Sequence, residues 1–595
     1  MPKPRPSIPS FTRKCDPGMT DDTFTFAEVR HRSYTAKQAR EVAMTQAISM
    51  SNRDFDTDVA IVGSGFGGSV AALRLSEKGY RVTVIEKGKR WQPEDFPKTN
   101  WNLRKAFWFP WIGCHGIFGL HLLRESLILH GVGVGGGSLV YANTHFEPPE
   151  TVWDDPQWKD LEDWRSIMPE HFATARRMLG AIETPKFGEP DHALRRAAER
   201  RGLGHTFKPT DVSIYFGQPD VTVPDPYFGG EGPDRTGCNF CGGCMVGCRF
   251  GAKNTLDKNY LYLAEKLGAT VVPDTQVELV EELEGGGYRI RWKRARWPVA
   301  RRGSMTARKV VFSAGVLGTV KLLMQCKEKG ALPRISDQVG NVVRTNSEAL
   351  LGMTSRSRND LFEGVAIAAK VEVDDVTHME AVRFSKGSDV MPLLGTMIAD
   401  GGGGLPRPLR WLWNAIRHPL DFWRVTKPWG KAEHSVVLMA MQTVDNHTRL
   451  VRRRQWLWPF SRALTSQPHP GQPGIPSYVP VANEVAREVA SELDGIAQNS
   501  VNEVFLDTGS TAHILGGCAI GSGPESGVIN PNGEVYGHDG LYVMDGSVIG
   551  ANLGVNPSLT ITALAEHLCS RFPAKEKLHR SESGRSSRPS GETWS

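Results

Sequence analysis

The chain has 595 residues, and its 71 basic side chains nearly balance 65 acidic ones, for a formal net charge of +6. That length exceeds one ordinary folding unit and permits a large core, while so small a charge argues against a nucleic-acid binder. No stretch offers about 18 uninterrupted apolar residues, so no membrane-spanning helix is expected. The first 54 residues lack a secretory leader's apolar core and cleavage site, so the expected location is the cytoplasm, with peripheral contact to a membrane as a further expectation.

Residues 1–53 are a polar extension with a weak helical pattern over 36–50; they read either as a loosely packed, disordered arm or as sequence ahead of a start at Met50. The first well-defined element is the apolar run 58–62, with the texture of a buried parallel strand. A helix over 69–78 and a strand over 80–85 complete a βαβ opening. Between strand and helix, Gly63, Gly65 and Gly68 form a G-x-G-x-x-G turn that also holds Phe66 and Gly67. Alone the pattern is weak; between a strand and a helix it marks a dinucleotide site. Gly63 permits the tight turn, Gly65 lets the backbone approach a pyrophosphate, and Gly68 lets helix and strand pack closely. Free N–H groups at the helix start then face the phosphates. Glu86 closes the second strand, where a carboxylate accepts from a ribose diol and repels a 2′-phosphate.

A second glycine cluster occupies 131–146, and 150–235 alternates helical patterns with Pro/Gly loops. Four of the nine cysteines then crowd into one segment, Cys238-x2-Cys241-x2-Cys244-x3-Cys248. The spacing is of the ferredoxin type, with Arg249 where that run has proline. In a reducing compartment such crowding points to a metal or cluster more than to disulfides. An iron–sulfur cluster is the leading reading; zinc, disulfides and free thiols stay open.

Residues 255–345 return to strand-rich texture, including 309–315, and 346–503 is rich in Trp, Arg and Pro. Within it, 405–424 mixes tryptophan with arginine, as helices at a lipid interface do; the plainer alternative is a helix pair with buried rings and solvated arginines. The glycines of 401–404 are a candidate hinge. Asn556-Pro557 reads as a helix start, Asn at the N-cap and Pro at the first helical position, ahead of an amphipathic helix over 558–571. The Ser/Arg/Glu-rich tail 574–595 is expected to be disordered.

Three blocks in order, 58–88, 131–143 and then 513–518 with 541–547 and 554–557, carry a family resemblance. The chain resembles the glucose-methanol-choline (GMC) oxidoreductases, most closely their cholesterol-oxidase branch. The resemblance implies an α/β fold: a doubly wound, Rossmann-like FAD-binding domain from 54–146, 236–345 and 504–573, and a mixed-sheet α+β substrate-binding domain from 147–235 and 346–503. It implies FAD, held by Gly63, Gly65, Phe66, Gly67, Gly68, Glu86, Gly133, Gly135, Gly136, Gly137, Ser138, Asn143, Val277, Ala314, Gly315, Asp545, Gly546, Asn556 and Pro557.

It further implies oxidation of an alcohol by hydride transfer to flavin N5. His513 then accepts the hydroxyl proton, and Asn556 holds the substrate or the flavin edge by its amide. The leading substrate is a steroid 3-hydroxyl. Glu380 lies in the segment that matches the isomerising glutamate of sterol oxidases, and such a base must be partly desolvated; the alternatives are a surface carboxylate or a partner of Arg383. The electron acceptor is oxygen or an unknown carrier. Two other readings are a dehydrogenase of another bulky or long-chain alcohol passing electrons through the cluster, and a flavin-dependent lyase or isomerase without net redox turnover.

Overall fold

The computed structural model describes residues 54–295, 301–402, 404–454 and 462–575. The N-terminal extension, nearly all of the C-terminal tail and Gly403 of the candidate hinge lie outside the described residues.

Strand Thr57–Val62 is buried along its whole length, as its uninterrupted apolar sequence requires. It pairs in parallel with Val82–Ile85 on one side and with Arg302–Phe312 on the other. Thr270–Val272 extends the parallel set beyond Val82–Ile85, and Leu541–Val543 pairs in parallel with Arg302–Phe312. The run expected at 309–315 is thus the end of a longer strand with two partnerships. Val310–Phe312 join the parallel core, while Arg302–Ala307 turn into an antiparallel meander with Tyr288–Arg294 and Thr275–Glu282. Helix Phe66–Glu77 follows the first strand, starting three residues before the sequence pattern suggested, because the glycines themselves enter the first turn.

A second seven-stranded sheet takes all of its strands from 208–500. Its neighbours run antiparallel throughout, not mixed as expected, so no pair needs the long crossover that parallel strands require. Strand alternation separates its two faces. Met379, Ala381, Val436, Leu438 and Ala440 pack under helices Glu189–Glu199 and Pro480–Glu492. On the opposite face, Val382, Met439 and Met441 meet Ala142 of the second glycine segment. Glu380 has the same parity as Val382, so its carboxylate is delivered to this face, towards the glycine segment.

Helix Ser558–Arg571 has the expected bounds but is buried almost all round, the condition of a helix inside a core rather than on its surface. Among the described residues, no helix is long and apolar enough to cross a membrane.

Candidate active site

The two glycine segments lie on each other. A Cβ at Gly136 would stand 2.6 Å from the Gly65 Cα, an approach open only to glycine. Ser64 ties them: its hydroxyl donates to the Glu86 carboxylate at 2.8 Å and accepts from the Gly135 N–H at 3.2 Å. Glu86 also accepts from the Gly88 amide at 2.8 Å. Burial pushes its carboxyl up, against the pull of these donors.

Around Gly65 the cleft is open. A Cβ there meets nothing within 4 Å, whereas one at Gly63 would lie 2.3 Å from the Ser313 carbonyl oxygen and one at Gly67 1.8 Å from that of Met544. Gly63 and Gly67 are therefore packed against backbone, and Gly65 faces space. Helix Phe66–Glu77 begins there without a side-chain cap, leaving its first amides for an anion. Asn143, held left-handed at φ 70°, has both amide atoms buried without a protein partner, and Asn556 Oδ1 is in the same state. Buried amides are normally satisfied, so these atoms mark where a ligand's polar edge belongs. The residues present fit a dinucleotide: the turn at Gly65 would hold its phosphates, and the Asn143 and Asn556 amides would meet its polar edge.

Other sequence candidates make hydrogen bonds within the protein. Asp545 accepts from Ser547 N–H and Oγ–H at 2.8 and 2.6 Å, Gly315 N–H at 2.9 Å and Thr319 Oγ1–H at 2.6 Å. Its four acceptor sites are taken. It clamps the Gly546 turn to the helix that starts after Ala314. Ser138 donates to the Gly135 carbonyl and accepts from Leu256, shaping the segment that contains Gly133 and Gly137. Val277 lies on the strand whose first amide, Thr275, bonds the Glu86 carbonyl at 2.8 Å.

The C-terminal segment supplies the rest. His513 is bonded through Nδ1 to Glu348, a fully buried carboxylate. Burial alone would lower the imidazole pKa, but the Glu348 charge and hydrogen bond override it and raise it above the ordinary 6.5. Asn346 and Ser347 are consecutive left-handed residues, φ 56° and 47°, and this bend carries Glu348 into place. Asn346 Nδ2 is anchored on the Val555 carbonyl at 2.8 Å.

Asn556 donates to Glu380 at 3.4 Å. It therefore does not cap the next helix, whose cap is Pro557; a buried carboxylate left without a donor costs more than a lost cap. Glu380 is fully buried, within electrostatic reach of His513, and is not the partner of Arg383, which pairs with Asp191. His513, Glu348, Asn556 and Glu380 thus converge from four separate stretches.

Family models described as GMC oxidoreductase match residues 232–329 and 434–565, and one described as an NAD(P)-binding Rossmann-like domain matches 61–91. A cholesterol oxidase of Acinetobacter baumannii is 46% identical over 540 residues, covering 89% of this chain and 96% of that one. The chain belongs to the GMC oxidoreductase family. A cholesterol oxidase of Mycobacterium tuberculosis is 45% identical over 538 residues, covering 88% of this chain and 92% of that one. Among solved structures, a pyridoxine 4-oxidase superposes with a TM-score of 0.58 at 15% identity, over 87% of this chain and 99% of that one, which speaks to fold alone. As a GMC oxidoreductase the chain is an FAD-dependent enzyme acting on CH–OH groups.

Glu348 was invisible to motif reading. The available signal was the polar run Thr345-Asn-Ser-Glu348 directly before an apolar strand, which only a residue with buried work would interrupt. All eight cysteines of the described residues are free thiols, and among those residues no three His, Cys, Asp or Glu side chains stand close enough to share one metal ion.

Proposed function

We propose that this GMC oxidoreductase oxidises the 3-hydroxyl of a steroid to the ketone, with oxygen as electron acceptor. The observation that carries the reading is near-full-length identity of 45–46% with two cholesterol oxidases; the convergence of His513, Asn556 and Glu380 supports it. Bound FAD supplies the acceptor for two electrons and the carbinol hydrogen. The neutral His513 ring takes the hydroxyl proton at Nε2, while Glu348 on Nδ1 fixes the ring's tautomer and stabilises the imidazolium that results. Asn556 Oδ1, buried with no hydrogen-bond partner, would orient the hydroxyl or the ring edge. A steroid 3-alcohol added without oxygen should bleach the flavin, and admission of oxygen should restore it with one peroxide per ketone; an unbleached flavin would sink the reading.

Glu380 is read as the base that shifts the double bond into conjugation after oxidation. It is fully buried and accepts from the Asn556 amide, with the His378 ring 3.6 Å from its other oxygen. Glu380→Gln should leave 3-hydroxyl oxidation largely intact and slow isomerisation by about 10²- to 10⁴-fold, so that the unconjugated ketone accumulates and the absorbance of the enone appears late. Equal slowing of both steps would assign Glu380 to oxidation instead.

We read 407–426 as the surface through which an apolar substrate is collected. Helices Arg407–Arg417 and Pro419–Thr426 turn large apolar side chains outward: Trp413 is 58% exposed, Ile416 64%, Leu420 72% and Trp423 64%. Trp411 and Phe422 instead pack inward, against Met397, Ala415, Val425 and Ile496, so each helix has one face towards the core and one towards solvent. Arg417, Arg424 and Lys427 flank the outward side chains, with Asp421 as the acidic exception. Rings among cations suit a bilayer with anionic headgroups. Replacing both Trp413 and Trp423 by serine should weaken sedimentation with phosphatidylglycerol-containing vesicles by about tenfold or more, with turnover of detergent-dispersed steroid unchanged.

A further inference from the structure

The alcohol chemistry leaves one cluster of nucleophiles without work. Cys238, Cys241, Cys244 and Cys248 line a single cavity of about 350 Å³, together with Ile214, Phe362, Gly364 and Lys253. The segment is shaped around it: Phe240, Gly242 and Gly247 have φ of 58°, 67° and 80°. A phenylalanine in the left-handed region is strained, and such strain persists only where the surroundings enforce it.

A backbone donor is aimed at one of the sulfurs: the Phe240 N–H donates to Cys238 Sγ at 3.4 Å. Amide hydrogen bonds to sulfur stabilise thiolate ligands and tune the potential of iron–sulfur centres; a neutral thiol has little use for them.

Lys253 lies beneath, 1% exposed. Its Nζ donates to the carbonyls of Cys244 and Tyr141, each at 2.9 Å, and of Leu139 at 3.3 Å. Those acceptors are neutral, and a buried ammonium calls for a negative neighbour. A cluster bound by thiolates is such a neighbour. The same lysine ties the cysteine segment to the glycine segment 131–143 that borders the dinucleotide cleft.

A single zinc ion does not meet the geometry. Its bonds of about 2.3 Å require sulfurs that converge on one point, and no three ligands do so among the described residues. A core of several irons and sulfides holds its thiolates farther apart and needs a cavity to occupy. We propose that Cys238, Cys241, Cys244 and Cys248 ligate an iron–sulfur cluster seated in this cavity, with Lys253 as its buried counter-charge. The site stands independently of whether the alcohol is a steroid.

The test uses the full chain with its flavin, purified anaerobically from iron-replete cells and then treated with ferrous iron and sulfide. Iron and acid-labile sulfide should reach about three to four per chain, with broad absorbance beneath the flavin bands and an electron paramagnetic resonance signal that changes on dithionite reduction. Cys244→Ser should lose or reshape that signal while retaining FAD, and Lys253→Met should shift the cluster's potential to more negative values. Flavin-loaded wild-type protein that holds less than about one iron per chain after this treatment, or that takes up zinc in preference, overturns the proposal.

Discussion

His513→Ala is expected to lower kcat by about 10²- to 10⁴-fold, with KM for the alcohol changed far less, because the imidazole acts on the hydroxyl proton and not on the body of the substrate. The rate is to be measured as flavin reduction in single turnover, which isolates the chemical step from reoxidation. Glu348→Gln is the finer probe. The wild-type ring has its pKa raised above 6.5 because the Glu348 charge outweighs the effect of burial. Since the neutral ring is the competent base, kcat/KM should rise with pH through that raised value. With an uncharged amide in place of the carboxylate, burial is left with little opposition, and the acid limb should move to lower pH while the plateau falls. A limb that stays in place would show that another group titrates. The same linkage acts on stability. The protonated pair contributes stability fully below the unfolded value near 6.5, and that contribution is lost as pH rises through the folded value.

Gly67→Ala and Gly65→Ala should part company although both alter one turn. At Gly67 the new methyl would stand 1.8 Å from the Met544 carbonyl oxygen, and neither backbone segment can yield cheaply. The expected result is a fold destabilised by about 3 kcal/mol or more, seen as a lowered Tm of the apoprotein and as flavin-free material. At Gly65 the methyl meets nothing within 4 Å. The apoprotein should melt as wild type does, while FAD binds about 10- to 100-fold more weakly, because the methyl enters the space that the pyrophosphate needs. Equal FAD affinity in wild type and Gly65→Ala would remove Gly65 from the phosphate cradle.

Some of this was legible without coordinates, because it rests on local rules. The apolar run before Gly63 and the glycine spacing after it define a strand, a turn and a helix within a few residues. The bounds of helix 558–571 were likewise local, written in its apolar content and in the proline before it. The three ordered blocks indicated FAD and the family, since a glycine segment that must lie backbone to backbone on another tolerates little else.

Pairings between distant stretches came only with the folded chain. Local pattern offered Asn556 as a helix cap; the fold turns its amide to Glu380, 176 positions away. Arg383 looked like the partner of Glu380 because the two are near in sequence. Three positions apart on extended chain, however, side chains leave on opposite faces, and Arg383 goes to Asp191 instead. The four donors that Asp545 accepts from lie on two segments far apart in sequence. Glu348 reaches His513 only through the left-handed bend at Asn346 and Ser347, which no periodicity foretells. The elements and the cofactor class could be read from the residues alone, because hydrophobic period and glycine sterics act over a few positions. Which buried carboxylate meets which donor was left to tertiary packing, because a desolvated charge takes its partner from whatever the fold brings within about 3 Å, regardless of distance along the sequence.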